Sequence, residues 1–157
     1  MNKRIANIAQ RELHLIDIEN ELGTGKPVAH EIAQFRSFYL KTNDVPANAH
    51  IVIAASSKET LLEACVGWPN ARTVYLPGRD GADLALIQVA LEENVEKRYG
   101  KVVFASGDHI FADAATTLQG LGVVVKFFAR AIHLSRFIRE CCDNVTVFSA
   151  ADFCLAA

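Results

Sequence analysis

The sequence predicts a doubly wound α/β domain, in which a mainly parallel sheet is covered by helices on both faces. Six short apolar runs rich in β-branched residues alternate with longer amphipathic segments along the 157 residues. Continuous apolar runs indicate strands buried on both faces, and parallel strands need long crossover segments between them. The length, with 51% hydrophobic residues, suits one core. We therefore predict a single domain over residues 11–150, with short tails at 1–10 and 151–157.

The strands are predicted where the apolar runs are continuous. They cover residues 13–18, 49–55, 72–77, 101–106, 123–129 and 145–149. Runs of this length that are rich in Val, Ile and Phe are typical of strands.

Five helices are predicted in the segments that separate the strands. They cover residues 27–42, 57–66, 84–100, 109–120 and 132–142. Pro27 is favourable as a first helical residue, and apolar residues recur after it at spacings of three and four. Ser57 is a predicted N-cap, Gly67 closes that helix, and Gly122 is the predicted C-cap of the helix that ends at 120.

Composition excludes several classes of protein. The formal net charge of −2 gives no global signature of nucleic-acid binding, although a local site can differ from this average. No apolar run approaches the length of a membrane span, and charged residues interrupt the amino-terminal segment early. The four cysteines show neither metal-ligand spacing nor the density of a disulfide scaffold. We expect a cytoplasmic protein without membrane contact.

Acidic residues follow the predicted strands where ligands bind in such folds. Asp17 ends the first strand, Asp108 follows the fourth, and Asp83 lies at the start of the third helix. Ligands of open α/β sheets bind beyond the carboxyl ends of the strands, so these three carboxylates are expected to meet there. Clustered carboxylates repel one another unless a cation neutralises them, and oxygen ligands suit Mg²⁺ or Mn²⁺. Taken singly, each Asp is better explained as a turn former or N-cap, and it is the three together that favour a shared site.

Three short motifs follow one another along nearly the whole chain: LIDIEN at the first strand, GADLALI in the middle and FASGDHIF at the fourth strand. Their order resembles the NYN branch of the PIN-like nucleases. The resemblance implies a PIN-like fold and metal-dependent hydrolysis of RNA phosphodiesters. It implies that Asp17, Asp83 and Asp108 bind the metal, that Asn20 orients Asp17 or a water, and that Ser106 supports the loop.

One position departs from the family pattern. Ile110 stands where the pattern often has a second Asp, and an apolar side chain cannot coordinate a metal. Three alternatives remain open: the site has fewer ligands, Glu19 or Asp113 contributes one, or activity is weakened or lost. Asp113 is equally explained by favourable charge near a helix N-terminus, and Glu19 by a solvated loop. We expect Ile110 itself to pack against the sheet.

Further polar residues lie at the same predicted edge. His109 could donate a proton to a leaving oxygen, or be an ordinary first-turn residue. The other candidates for phosphate contact are Arg79, Arg130, His133, Ser135, Arg136, Ser56 and Ser57. Helix-surface arginines and an N-cap role for Ser57 explain several of these equally well.

Two functional hypotheses follow. The first is a metal-dependent endoribonuclease acting on single-stranded RNA. The second is a catalytically weakened PIN-like module that binds RNA or a protein partner, or a domain that binds a nucleotide, since a fold does not fix a function. A homodimer is compatible with either hypothesis.

Overall fold

The structure, a computed structural model, describes residues 7–156. The described chain forms one six-stranded parallel sheet in the order β3-β2-β1-β4-β5-β6. The strands are β1 Glu12–Asp17, β2 His50–Ala55, β3 Arg72–Tyr75, β4 Lys101–Ala105, β5 Val124–Arg130 and β6 Val145–Phe148. The predicted α/β fold with a parallel sheet is confirmed.

The helices are α1 Ile18–Leu22, α2 Ala29–Thr42, α3 Lys58–Gly67, α4 Gly81–Glu92, α5 Ala112–Gly120, α6 Arg136–Cys141 and α7 Ala150–Ala156. Short 3₁₀ turns occupy Val95–Lys97, His109–Phe111 and Ala131–His133. Within the described residues, no helix is both long and apolar enough to cross a membrane.

Helices cover both faces of the sheet because successive strand residues point to opposite sides. Leu15 and Phe104 belong to a core on one face, beneath α4 and α5. Ile16 and Phe128 belong to the core on the other face, where Phe35 of α2 packs. All five side chains are fully buried.

The strand order places a crevice between β1 and β4. The chain winds outward from β1 to β3 and then returns to β4, which pairs with β1 on its other side. Connections on the two sides of this point leave the carboxyl edge in opposite directions, which opens a space between them. The ends of β1 and β4 therefore define the place where a ligand fits.

The segment after β1 is helical, whereas the sequence predicts a turn there. Asp17 caps α1 by accepting a hydrogen bond from the Asn20 amide, and Gly23 ends the helix in the left-handed region at φ +68. Five residues are too few for a recognisable apolar period, so the sequence pattern does not reveal this helix.

The predicted carboxyl-terminal tail contains a helix that the sequence analysis did not predict, because residues 150–156 form α7. Ser149 and Asp152 bond reciprocally: the Ser149 amide donates to the Asp152 carboxylate, and the Asp152 amide donates to the Ser149 hydroxyl. Phe153 packs on Phe35, with ring centroids 6.0 Å apart. Of the predicted amino-terminal tail, residues 1–6 lie outside the described part of the chain.

Other helix boundaries differ by a few residues. The helix predicted from Pro27 begins at Ala29, and the one predicted to reach Gly100 ends at Glu92, before Asn94 at φ +52. The helix predicted from residue 132 begins at Arg136, because Ser135 provides the cap by accepting from the Phe137 amide. Ser57 caps α3 as predicted. Gly122, at φ +86, follows the C-cap residue Leu121 rather than being the C-cap.

Glu21 is a buried acid that the fold does not pair. Its side chain is fully buried, and neither carboxyl oxygen has a hydrogen-bond partner among the described residues. Arg130 lies close but donates instead to the backbone carbonyls of Glu21 and Leu22. Burial, reinforced by the charge of Asp17, raises the pKa of Glu21 well above its usual range, which favours the neutral form of the group.

We expect Glu21→Met to raise the free energy of unfolding by about 1 kcal/mol at pH 8, because it removes unpaired buried polar atoms without leaving a large cavity. Urea denaturation measures the change. Glu140→Met, at an exposed glutamate, is the matched control. If the Glu21→Met variant were less stable than its parent, the buried acid would be stabilising.

Candidate metal and phosphate site

An acidic cavity of about 270 Å³ lies at the carboxyl edge of the sheet beside the β1–β4 crevice. Its polar lining consists of Asp17, Glu19, Asn20, Ser56, Arg79, Asp80, Asp83 and Asp108. The prediction that Asp17, Asp83 and Asp108 share one cavity with Asn20 is confirmed. Their roles in binding or catalysis stay predictions.

Asp17 is the last residue of β1, and its side chain is held by the loop after β4. It is 4% exposed. One carboxylate oxygen accepts from the main-chain N–H of Asn20 at 3.3 Å, and the other accepts from the Ser106 hydroxyl at 3.1 Å. Burial raises the pKa of Asp17, although its hydrogen bonds oppose the shift.

Asp83 lies in the first turn of α4 and lines the same cavity as Asp17. The turn before it is tight: Asp80 adopts φ +58, and a Cβ at Gly81 would lie 2.1 Å from the carbonyl oxygen of Leu76. Glycine is therefore required at residue 81, and this close approach places the start of α4 beside the crevice. The Asp83 side chain is 7% exposed, and its Oδ1 atom is buried without a partner among the described residues.

Asp17 and Asp83 form a pair of neighbouring carboxyl groups, each of which influences the pKa of the other. Burial, followed by the charges of Asp17, Asp108 and Asp80, raises the pKa of Asp83 to about 8. At neutral pH the pair therefore retains a proton when no cation is bound. A cation that displaced this proton would satisfy both groups.

The loop after β4 brings Asp108 to the same cavity. The Asp108 amide donates to the Ser106 hydroxyl at 3.3 Å, and the Gly107 amide donates to the Asn20 side-chain oxygen at 3.2 Å. A Cβ at Gly107 would lie 2.6 Å from the His133 carbonyl oxygen, so only glycine fits. Asp108 also caps the following turn by accepting from the Ile110 amide at 3.0 Å. The capping interpretation of Asp108 and its place in the cavity are thus both correct.

Glu19 and Ser56 form a link that the sequence analysis missed. Glu19 lies in α1, not in a solvated loop, and its carboxylate accepts from the Ser56 hydroxyl at 2.8 Å and from the Ser56 amide at 3.1 Å. This link joins the ends of β1 and β2. Ser56 therefore donates to Glu19 in this structure, and its predicted phosphate contact stays a prediction.

Asp80 was also missed as a cavity residue. Its signal was the Asp80-Gly81 pair, because Asp tolerates the left-handed region and Gly permits close approach in tight turns. Arg79 was predicted as a phosphate contact, and it lines the same wall of the cavity. It is a cation beside an otherwise acidic lining.

Asp113 and Ile110 lie outside the lining of the acidic cavity. Asp113 is exposed in the first turn of α5, which fits its interpretation as a favourable charge near a helix start. Ile110 is partly buried against the core beneath α4 and α5, which confirms the predicted packing.

We expect Ile110→Asp to lower the free energy of unfolding by about 1–2 kcal/mol, equally with and without Mn²⁺, because apolar contact is lost and no ligand is gained. Melting curves in Mn²⁺ and in chelator measure this. Ile132→Asp, at an isoleucine that is 83% exposed, is the control and is expected to change little. If Mn²⁺ stabilised the Ile110→Asp variant more than the parent, the packing argument would be contradicted.

A second cleft of about 260 Å³ adjoins the acidic cavity and shares Asn20 and Asp108 with it. His109, His133 and Ser135 complete its polar lining, together with the backbone at Gly107. His133 is held by a 3.0 Å hydrogen bond between its Nδ1 atom and the Asn20 carbonyl. The His109 Nδ1 atom lies 3.1 Å from the Asp108 carboxylate, and its side chain is 71% exposed.

The other two arginines predicted at this edge, Arg130 and Arg136, have different surroundings. Arg130 is half-buried, and it donates to the carbonyls of Glu21 and Leu22 at 3.0 and 3.1 Å. These contacts hold the end of α1, so Arg130 has a structural role, and its predicted phosphate contact stays a prediction. Arg136 is exposed, and its guanidinium lies over the Phe137 ring at 5.3 Å.

The residues present fit a hard cation in part. Asp17 and Asp83 offer buried oxygen atoms, one of them unpartnered, and such donors suit Mg²⁺ or Mn²⁺. Among residues 7–153, however, no three His, Cys, Asp or Glu side chains converge closely enough to hold a metal ion. An ion here would rely on two close carboxylates, with water and substrate oxygens completing its ligands, which is common for Mg²⁺.

Comparison with known proteins supports the α/β fold. No protein-family model matches the sequence, and no curated protein is similar to it. A crystal structure of a protein of unknown function from Vibrio parahaemolyticus has a similar fold, with a TM-score of 0.56 and 20% sequence identity. The match covers 91% of this chain and 94% of the other. The resemblance to the NYN branch therefore stays a prediction.

Proposed function

We propose that this protein is a metal-dependent endoribonuclease that cleaves single-stranded RNA at the acidic cavity. The observation that supports this most is the buried Asp17–Asp83 pair. It keeps an unpartnered oxygen in a cavity at the β1–β4 crevice. Two ionised carboxyl groups held this close repel each other and destabilise the fold unless a cation binds between them. The three-motif resemblance to NYN nucleases supports the same conclusion.

Asp17 and Asp83 are the two close carboxylates that would hold Mg²⁺ or Mn²⁺, and Asp108, which lines the same cavity, is the third proposed ligand, reached through water or substrate oxygens. When bound, such an ion supplies an activated water and stabilises the charge that develops on the phosphate. Asn20 and Ser106 position Asp17: the Ser106 hydroxyl donates to one of its carboxylate oxygens, and the main-chain N–H of Asn20 donates to the other. His109, exposed at the rim beside Asp108, is placed to deliver a proton to a leaving oxygen.

A cleavage assay tests the proposal. A fluorescently labelled single-stranded RNA is incubated with the protein in Mn²⁺, in Mg²⁺ and in chelator. We expect fragments in the presence of either ion and none in chelator. Asp108→Asn is expected to abolish cleavage and to leave the fold intact, because Asn also serves as an N-cap. Cleavage that persists in the Asp108→Asn variant would overturn the assignment.

A second candidate is a PIN-like module that binds RNA or a protein without cleaving. Ile110 favours it, because this side chain packs on the core where the family pattern has an acid. The shortage of converging ligands among residues 7–153 favours it too. RNA binding without cleavage in either metal would select this alternative.

A further inference from the structure

We infer that the second cleft and the adjoining surface of α6 bind an unpaired nucleotide, with its base stacked on Phe137. The inference rests on the proposed function, since it assigns a neighbouring part of the same RNA strand. It names an exposed aromatic side chain that the sequence analysis did not single out.

Continuity with the acidic cavity is the first argument. Asn20 and Asp108 form a wall common to the two spaces, so a strand with a phosphate in one can continue into the other. Beyond this wall lie His109 and His133, which are exposed and carry hydrogen-bonding ring nitrogens. A phosphate or sugar leaving the acidic cavity would meet these groups next.

The second argument is the exposed aromatic surface at the end of this path. Phe137 is 50% exposed, although phenylalanine is usually buried. Its ring centroid lies 6.3 Å from that of His109, and the Arg136 guanidinium covers part of it at 5.3 Å. An aromatic ring flanked by a cation and an imidazole matches the stacking surfaces on which single-stranded nucleic acids place their bases.

Charge agrees with this occupant. Arg136 and Arg139 are both exposed on α6, and Glu140 is the exposed acid on the same helix. The cavity carboxylates repel phosphate in the absence of a cation, so this basic and aromatic side offers a favourable first contact for the strand. A duplex keeps its bases paired and stacked internally, and therefore cannot use the Phe137 ring in this way.

The test separates binding from cleavage by using Asp83→Asn protein in chelator. A labelled single-stranded oligoadenylate is titrated with the protein, and binding is followed by fluorescence anisotropy. We expect Phe137→Ala in this background to weaken binding about tenfold, which corresponds to the lower part of the usual range for one stacked base. Ile132→Ala removes a neighbouring exposed apolar side chain and is expected to change affinity less than about twofold. Phe137→Ala should not weaken binding of an abasic strand.

A tryptophan provides a second readout that a merely structural role would not change. Phe137→Trp adds an exposed indole, whereas the natural Trp68 is 2% exposed. Stacking of adenine on the new indole is expected to quench its emission, and an abasic strand is expected not to.

Failure of this inference is distinguishable from failure of the proposed function. Suppose that the parent cleaves RNA in an Asp83-dependent manner, while the Phe137→Ala variant binds oligoadenylate as tightly as the Ile132→Ala control. The proposed base-stacking subsite is then wrong, and the proposed nuclease activity stands. If Phe137 is needed for binding but the parent never cleaves, the subsite stands and the nuclease is wrong. Absence of any oligoadenylate binding would overturn the subsite.

Discussion

Asp83→Asn is expected to abolish RNA cleavage and, in the same protein, to raise the stability of the metal-free fold. Loss of one of two close carboxylates removes a contribution of several kcal/mol to charge stabilisation, so activity should fall at least ~100-fold. The stability gain arises because the pKa of Asp83 is raised to about 8 by burial and by its acidic neighbours. The side-chain amide introduced by Asp83→Asn has nearly the shape of the carboxyl group but carries no charge, so the repulsion by the neighbouring acids is removed.

The stability gain of the Asp83→Asn variant is expected to increase with pH. A carboxyl group whose pKa is raised in the folded state stabilises the fold fully below its unfolded pKa, and this contribution is lost as the pH rises toward 8. The advantage of the Asp83→Asn variant in chelator should therefore grow from about pH 4 to about pH 8, reaching on the order of a few kcal/mol. Urea denaturation at several pH values measures it.

Asp80→Asn is the matched control for Asp83→Asn. It removes the same charge from the same cavity wall, and Asn tolerates the left-handed conformation at φ +58. The Asp80→Asn variant should cleave RNA at a rate close to that of the parent, because Asp80 is outside the proposed ligand set. Equal loss of activity in both variants would show that the cavity needs its overall charge rather than a specific ligand.

The position of the site could be predicted because it depends on strand order alone. Asp17 and Asp108 end or follow strands that a doubly wound topology makes neighbours, and Asp83 opens the helix that covers them. No local feature of the sequence was needed beyond the apolar runs and the three acids. The same reasoning predicts the parallel sheet, since long crossovers leave few other connections.

What could not be predicted depends on contacts between distant residues. Glu19 binds Ser56 across a separation of 37 residues, and no spacing rule reports such a pair. Arg130 is of a type suited to phosphate, yet it meets the carbonyls that end α1, a helix too short to be recognised. Whether three carboxylates lie close enough to bind one metal ion also depends on small differences in the distances between them, and the order of motifs along the sequence does not determine those distances.

A buried histidine in the core beneath α2 is expected to make the protein acid-sensitive. His14 is fully buried in β1, between the Tyr39 hydroxyl at 2.7 Å and the Glu12 carboxylate at 3.1 Å. A carboxylate oxygen only accepts, so Nε2 carries the proton and donates to Glu12, while Nδ1 accepts from Tyr39. Neutral imidazole satisfies both contacts.

Protonation would change this arrangement. Nδ1 would gain a proton, so the Tyr39 hydroxyl would have to turn and accept instead of donating, and the imidazole charge would lie inside an apolar core. Burial lowers the pKa of His14 from 6.5 to about 4; the Glu12 contact opposes this shift, and the charges of Lys101 and Lys126 reinforce it. The histidine is therefore neutral in the folded protein throughout the mildly acidic range.

The expected consequence is a loss of about 3 kcal/mol of stability between about pH 7 and about pH 4 from His14 alone. The unfolded chain binds a proton near pH 6.5 and the folded chain only near 4, so this contribution is present above 6.5 and is lost as the pH falls.

His14→Gln offers a donor and an acceptor but does not titrate. Over this pH range the free energy of unfolding of the variant should therefore decline by about 3 kcal/mol less than that of the parent. His30→Gln, at an exposed histidine, serves as the control and should follow the parent. Urea denaturation at closely spaced pH values measures the three slopes. Because the buried carboxylates titrate in all three proteins, the difference between slopes isolates the histidine; identical slopes for the parent and the His14→Gln variant would show that His14 is not the group responsible.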